Sequence, residues 1–344
     1  MKNFSAIRVA CLGAGYFARF HYDAWNRIDG AQVIGACDLD ATRAQATGAH
    51  AFSDLKTMLE VAQPDLLDII TPPPSHLDAI GTALDAGVKT IICQKPFCRN
   101  YSEALKATTL AEEAGATLVI HENFRFQPWY RTIRSMIDAG ELGDVSQITF
   151  RLRTGDGQGN DAYLHRQPYF RSMPRLLMHE TGVHWIDTFR YLLGEPEAVY
   201  ADIRKLNPVI AGEDAGYFIL DFPGNRRALF DGNRLLDHNA DNHRTTLGEA
   251  AIEGTKATAL LDGNGAVSVR AFGENQVTTV LHHQEWPGFG GDCVRALNEH
   301  VIRGIEGRTA LENTARNYLK IIVIKDAIYK SAETGQKIWG FDDH

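Results

Sequence analysis

The chain is 344 residues long, 44% hydrophobic and 23% charged, with a net charge of −8. Those proportions exclude a disordered, collagenous or coiled-coil chain, and the length favours two domains. The acidic balance leaves no electrostatic footprint for nucleic acid or anionic lipid, so a small-molecule ligand held in a local pocket is expected.

Strands and helices alternate through the first third. Ile7–Leu12 reads as a buried strand, followed by a glycine-rich turn and a helical stretch to about Ile28. Gln32–Cys37 is a second strand, Ala41–Thr47 helical, Ala51–Phe52 a minimal strand and Asp54–Val61 a short helix. Leu67–Thr71 is a strand stopped by three prolines. His76–Ala86 is a helix ended by Gly87, Thr90–Cys93 a strand, Ser102–Ala114 a helix and Leu118–His121 a strand. Strands separated by helical stretches predict βαβ units and a parallel, doubly wound sheet. After a helix over Pro128–Ala139 the pattern changes to alternating segments from Val145 to His282. They predict a largely antiparallel sheet, interrupted by one helix over His179–Leu193 and followed by two C-terminal helices. The expected division is a nucleotide-binding domain over 1–123 and a substrate-binding and oligomerisation domain over 124–344.

Gly13-Ala14-Gly15-Tyr16-Phe17-Ala18 reads G-x-G-x-x-A between the first strand and the first helix. The first glycine makes the turn, the second admits a pyrophosphate to the backbone, and the small third residue lets helix and strand pack. Asp38 ends the second strand about 20 residues on, where a carboxylate binds the adenosine ribose diol. A carboxylate there repels the 2′-phosphate of NADP, so NAD is the expected cofactor. Thr71, Pro72 and His76 lie at the end of one strand, and Gln94 and Lys95 at the end of the next. Functional groups collect on that rim of an open α/β sheet. With Gly13, Gly15, Tyr16, Phe17 and Asp38 they make up the expected cofactor-binding set.

On a helix, Glu180 and His184 are i, i+4 and share a face, with Asp187 three residues further. His184 is the residue most readily tuned as a base near neutrality. A zinc site is rejected, because His179 and His184 are i, i+5, about 140° apart on a helix. No metal is expected. The polar loops Gly155–Tyr163 and His238–His243 are either solvated or part of a sugar site. The five cysteines form no C-x-x-C pair, which argues against a disulfide framework. Met1–Ser5 is too short and polar for a signal peptide, and no apolar run spans a membrane. A cytoplasmic location is expected.

These motifs resemble the Gfo/Idh/MocA family, the glucose–fructose oxidoreductase and inositol dehydrogenase group. The resemblance rests on GAGYFA, DIITPPPSH at Asp68–His76, CQKP at Cys93–Pro96, NFRF at Asn123–Phe126 and ETGVHWIDTFRYLLG at Glu180–Gly194. It implies a Rossmann domain, a C-terminal domain with an open sheet, and NAD(P)-dependent chemistry on sugars or polyols. It makes Lys95 and His184 the acid–base pair, with Glu180 beside them, and implies a cis Lys95–Pro96 bond. Two departures stand out: Gln94 replaces the usual Glu, which would bring a neutral amide to the nicotinamide ribose, and Glu180 replaces the usual Asp. QKPF with HENFRFQ is most similar to a subgroup that includes D-apiose dehydrogenases. The expected activity is oxidation of a sugar hydroxyl, with aldose C1 to lactone favoured. Lys95, Asn123, Arg125, Tyr163, Glu180 and His184 are the expected substrate-binding residues. An inositol-type polyol dehydrogenase or a non-catalytic NAD-binding sensor is the alternative. A homodimer or homotetramer through the C-terminal sheet is expected.

Overall fold

Residues 6–341 are described by a computed structural model; Met1–Ser5 lies outside them. The chain divides into two compact units. One holds Met1–Asn123 with Asp292–Lys320, the other Phe124–Gly291 with Ile321–His344.

In the first unit, β1 (Ile7–Leu12), α1 (Ala18–Asn26), β2 (Ala31–Cys37), α2 (Ala41–Ala46), β3 (Ala51–Phe52) and α3 (Leu55–Ala62) form the first half. β4 (Leu66–Ile69), α4 (His76–Asp85), β5 (Thr90–Gln94), α5 (Tyr101–Glu113) and β6 (Thr117–His121) form the second. Short polar residues start several of the helices. The Asp40 carboxylate accepts from Thr42 N, that of Asp54 from Thr57 N, and the Asn100 amide oxygen from Glu103 N. Every residue of β4 and β5 is buried, as parallel strands covered on both faces must be. The strands pair in parallel in the order β3-β2-β1-β4-β5-β6. The order reverses between β1 and β4, and ligands bind beyond the carboxyl ends of strands at such a switch point.

The single crossing expected at residue 123 is instead the first of three, because 292–320 returns to the first unit. β6 ends the sheet, and its outer edge is covered by the segment around Asn313. Val119 bridges Thr314, and Ile120 N donates to Asn313 O at 2.8 Å. Covering a sheet edge with a distant segment removes a site for unwanted pairing.

The second unit carries α6 (Pro128–Asp138), β7 (Val145–Leu152), α7 (Val183–Leu193), β8 (Ala198–Arg204), β9 (Ala215–Phe222), β10 (Arg226–Asn233), β11 (Gly248–Gly254), β12 (Ala257–Leu261), β13 (Val267–Ala271) and β14 (Val277–Leu281). Two helices follow, α8 (Phe289–Ile305) and α9 (Ala315–Thr334), both of which run across a unit boundary, and then β15 (Ile338–Trp339). β15 has no counterpart in the sequence reading, since a two-residue strand carries no periodicity. The nine strands run β14-β13-β12-β11-β7-β10-β9-β8-β15, antiparallel except for the β7–β10 pair. Along β9 and β10 buried and half-buried residues alternate, which turns Phe218, Leu220, Phe222, Ala228 and Phe230 to one face. Trp185 of α7 packs there, stacked on Phe150 with 4.2 Å between ring centroids and tilted against Phe230 at 5.3 Å. Among the described residues no helix is long and apolar enough to cross a membrane.

Candidate active site

Gly13 stands where β1 ends, with φ at +105°, a backbone geometry that L side chains rarely adopt. A Cβ on Gly13 would approach the Ile70 backbone to 3.1 Å, while nothing lies within 4 Å of where one would sit on Gly15. So Gly13 lets β1 and β4 close together and Gly15 leaves open space above the turn. Ala14 N donates to Asp38 Oδ2 at 2.7 Å, and Asp40 N to Asp38 Oδ1 at 2.9 Å. Each carboxylate oxygen keeps acceptor capacity, because it can take two hydrogen bonds. Tyr16 and Phe17 are half-buried in the turn, with Tyr16 accepting from Arg19 and Phe17 tilted on Phe20. An open glycine turn leading into a helix, with a carboxylate at the end of β2, fits the pyrophosphate and ribose of NAD.

The rim residues divide. Thr71 is half-buried and Pro72 exposed, and the Thr71 and Ser75 hydroxyls hydrogen-bond at 2.6 Å. His76 is wholly buried behind the rim. Its Nδ1 accepts from Cys98 N at 3.3 Å, so Nε2 carries the proton and donates to Thr71 O at 2.7 Å. Burial lowers its pKa to about 4, against the opposing effect of the Thr71 bond. Gln94 is also turned inward: Nε2 lies 2.7 Å from His21 Nε2, and Oε1 accepts from Lys95 N at 3.0 Å. Its amide is thus engaged within the protein rather than free to meet a ribose. Lys95 is half-buried and its bond to Pro96 is cis. Asn123 is buried just past β6.

In the second unit the expected single helix over 179–193 is two structures. Leu177–Gly182 is a π-helical segment, and α7 begins at Val183. Glu213 explains the start: its carboxylate accepts from Leu176 N and Met178 N, each at 3.1 Å, and its carbonyl from Leu177 N. Those donors have no earlier helical turn to bond to. The π-helical segment carries Glu180, and α7 carries His184 in its first turn. Glu180 stays half-buried, accepting from the Thr181 hydroxyl at 3.1 Å. His184 is 6% exposed, and its ring lies flat on Phe124 at 3.8 Å with 4° between planes. α7 has no solvated polar face, since every residue from Val183 to Arg190 is buried. Asp187 is paired with Arg125 through Nε at 2.8 Å and Nη2 at 2.6 Å. Arg125, expected to bind sugar, is thereby committed to a buried bidentate pair.

Sequence reasoning missed Arg234, just past β10 and 4% exposed. Its Nε donates to Tyr163 Oη at 2.6 Å, Nη1 to Thr181 Oγ1 at 2.6 Å, and Nη2 to Asp156 Oδ2 at 3.2 Å. Asp156 also accepts from Arg166 and Thr154, each at 2.6 Å. Burial acts to raise the Asp156 carboxyl, but Arg234, Thr154 and Arg166 hold it below the usual range. Burial and the Asp156 charge push the Tyr163 phenol up to about 12, against the opposing pull of Arg234. Tyr163 is therefore part of a polar core that ends, through Thr181, at Glu180. The only sequence signals are a charged residue at a strand end and the polar loop at Gly155.

Residues 7–122 match the profile of an oxidoreductase family with an NAD-binding Rossmann fold, and residues 130–260 match the Gfo/Idh/MocA C-terminal domain. The chain is 28% identical to a D-apiose dehydrogenase of Paraburkholderia graminis, over 96% of this chain and 88% of that one. It is 26% identical to a D-apiose dehydrogenase of Rhizobium rhizogenes, over 98% of each. It shares its fold with an oxidoreductase from Agrobacterium radiobacter solved with NAD+, L-tartaric acid and magnesium. The TM-score is 0.87 at 24% identity, covering 97% of this chain and 98% of that one. The glycine turn, the 3-2-1-4-5-6 sheet, the open second sheet and both profile matches agree: this chain belongs to the Gfo/Idh/MocA family of NAD-binding oxidoreductases acting on CH–OH groups.

Proposed function

We propose that this chain oxidises a hydroxyl of a sugar with NAD, with an aldose C1 going to a lactone and D-apiose as the leading substrate. The observation that carries the reading is His184, a buried imidazole held flat against Phe124 in a chain that aligns with D-apiose dehydrogenases over nearly its whole length. NAD, when bound, supplies the hydride acceptor. Gly13, Gly15, Tyr16, Phe17 and Asp38 hold it, with Thr71 and Pro72 at a strand end. His184 takes the hydroxyl proton as general base. The Lys95 ammonium donates to the reacting oxygen and stabilises its developing negative charge. Glu180 orients a neighbouring sugar hydroxyl, and Asn123, Arg125 and Tyr163 complete the binding set, Arg125 and Tyr163 by bracing the residues around them.

The five buried cysteines form no disulfide among the described residues, which favours a reducing compartment, and we place the protein in the cytoplasm. The outer side of the second sheet exposes Leu260, Val277 and Val280, which supports a homodimer or homotetramer built there. The deciding experiment incubates the protein with NAD and a panel of D-apiose, other pentoses, hexoses and inositols, and follows NADH absorbance. Turnover on D-apiose and related aldoses is expected. Turnover confined to inositols would replace the substrate class, and none on any member would favour a sensor.

A further inference from the structure

The cofactor-side unit contains a buried polar chain that the chemistry above does not use. His21 of α1 is fully buried, with Nδ1 2.8 Å from Asp68 Oδ2. Trp25 Nε1, one turn further along α1, donates to the same oxygen at 2.8 Å. His21 Nε2 faces the Gln94 amide at 2.7 Å, and the His121 ring lies against the His21 ring at 4.2 Å. The chain therefore links α1, β4 and β5, three elements that meet at the switch point of the sheet.

The protons in this chain are determined by one backbone group. Lys95 N–H can only donate, and it points at Gln94 at 3.0 Å, so that end of the amide is its oxygen. The other end is the NH2 group, which also only donates. His21 Nε2 must then accept, so His21 holds its proton on Nδ1 and gives it to Asp68. Reversing the Gln94 amide would set NH2 against the Lys95 N–H and cost that bond. A buried amide left without partners costs about 1–3 kcal/mol, so the direction is specified.

We propose that Gln94 is a positioning residue for Lys95: its amide, locked by His21 and Asp68 on the inner side, holds the Lys95 backbone N–H and so fixes the turn that carries the lysine side chain. The proposal rests on Lys95 acting at the reacting oxygen. It assigns Gln94 an inward task in place of the ribose contact expected from the family's glutamate at this position. A leucine here would remove the acceptor that Lys95 N–H uses and the donor to His21 Nε2. A glutamate would still accept from Lys95 N–H but has no hydrogen to give His21. His21 would then carry protons on both nitrogens, between two carboxylates.

The test combines histidine 15N NMR with kinetics. The full-length protein is labelled at histidine, and His21 is assigned by the loss of its signals in His21→Asn. The wild type is expected to show two well-separated His21 ring resonances, with the proton on Nδ1. In Gln94→Glu the two should draw together, as in an imidazolium. Gln94→Leu should lose about ten- to a hundredfold in kcat, the scale of a misplaced catalytic group, with NAD affinity within about twofold. Gln94→Glu should recover most of that loss. A wild-type His21 protonated on Nε2 overturns the proposal, whether or not the variants fold. So does a folded Gln94→Leu with wild-type kcat, provided Lys95→Ala is impaired. If Lys95→Ala is also unimpaired, the reading of Lys95 itself fails, while the His21 resonances still report the hydrogen-bond chain.

Discussion

The imidazole of His184 and the ring of Phe124 are parallel, 3.8 Å apart and 60 positions apart in the chain. Trp185 meets Phe124 edge-on at 5.3 Å, so the wall behind the histidine is itself packed. An imidazole held in this way has one ring plane and, as the proposed base, would lose little entropy in reaching its working position.

His184→Ala and Lys95→Ala should each reduce turnover by about 10²–10⁴-fold while NAD affinity stays near wild type. Phe124→Leu should keep the fold and lose about tenfold, because it loosens the base without removing it. Steady-state kinetics, NAD titration and melting temperatures check all three. Normal turnover in folded His184→Ala would reject it as the base.

Asp38 accepts from two backbone N–H groups and lies at the end of β2. NAD should therefore outperform NADP by a wide margin in kcat/KM, and Asp38→Ala should narrow the gap. Loss of the Ala14 and Asp40 bonds should also cost roughly 1–3 kcal/mol of stability. Equal efficiency with both cofactors in the wild type would contradict the assignment.

Arg234 bonds three side chains, among them the half-buried Asp156 carboxylate that Arg166 also pairs. Arg234→Met should destabilise the protein by about 1–3 kcal/mol, since it removes one of the two arginines that pair Asp156 and the donor to Tyr163 and Thr181. Adding Asp156→Asn should recover part of this loss, because the two changes share one interaction. Chemical denaturation of the two single variants and the double variant measures the coupling. Strict additivity would show that the cluster is not a unit.

The protein should lose stability as the pH falls below the ordinary histidine range. His76 is held neutral when folded, with a pKa of about 4, while an unfolded histidine titrates near 6.5. Between those values the unfolded chain binds the extra proton, so stability rises with pH across this window and falls on acidification. The contribution of His76 is on the order of 3 kcal/mol between pH 7 and pH 4. His121, whose pKa burial lowers to about 3 despite the opposing Asp68 charge, acts with the same sign. Denaturation curves against pH should flatten in His76→Gln, and an unchanged slope would count against this account.

If the open sheet is an interface, light scattering at micromolar concentration should give a dimer or tetramer mass. Leu260→Glu, on the outer side of β12, should shift it toward the monomer with the far-UV spectrum retained. A wild-type monomer would end the idea.

Local chemistry is legible in the sequence because it is written in neighbouring residues. The βα alternation, the Gly13–Ala18 turn, the Asp38 position and the Lys95–Pro96 corner each depend on a few consecutive side chains or a short period. The second sheet also follows from alternation, down to most strand ends. What the sequence leaves undecided is which polar groups find each other across distance. Arg125 meets Asp187, Arg234 meets Tyr163, Thr181 and Asp156, and Gln94 meets His21, each across tens of residues. A buried donor must find an acceptor, but several candidates satisfy that rule until packing selects one. The π-helical segment at Leu177–Gly182 is likewise decided by Glu213, a distant residue that takes up its first N–H groups. Tertiary structure therefore converted Arg125 and Tyr163 from free hydrogen-bonding groups into braces, because in a closed core a partner inside the protein replaces water.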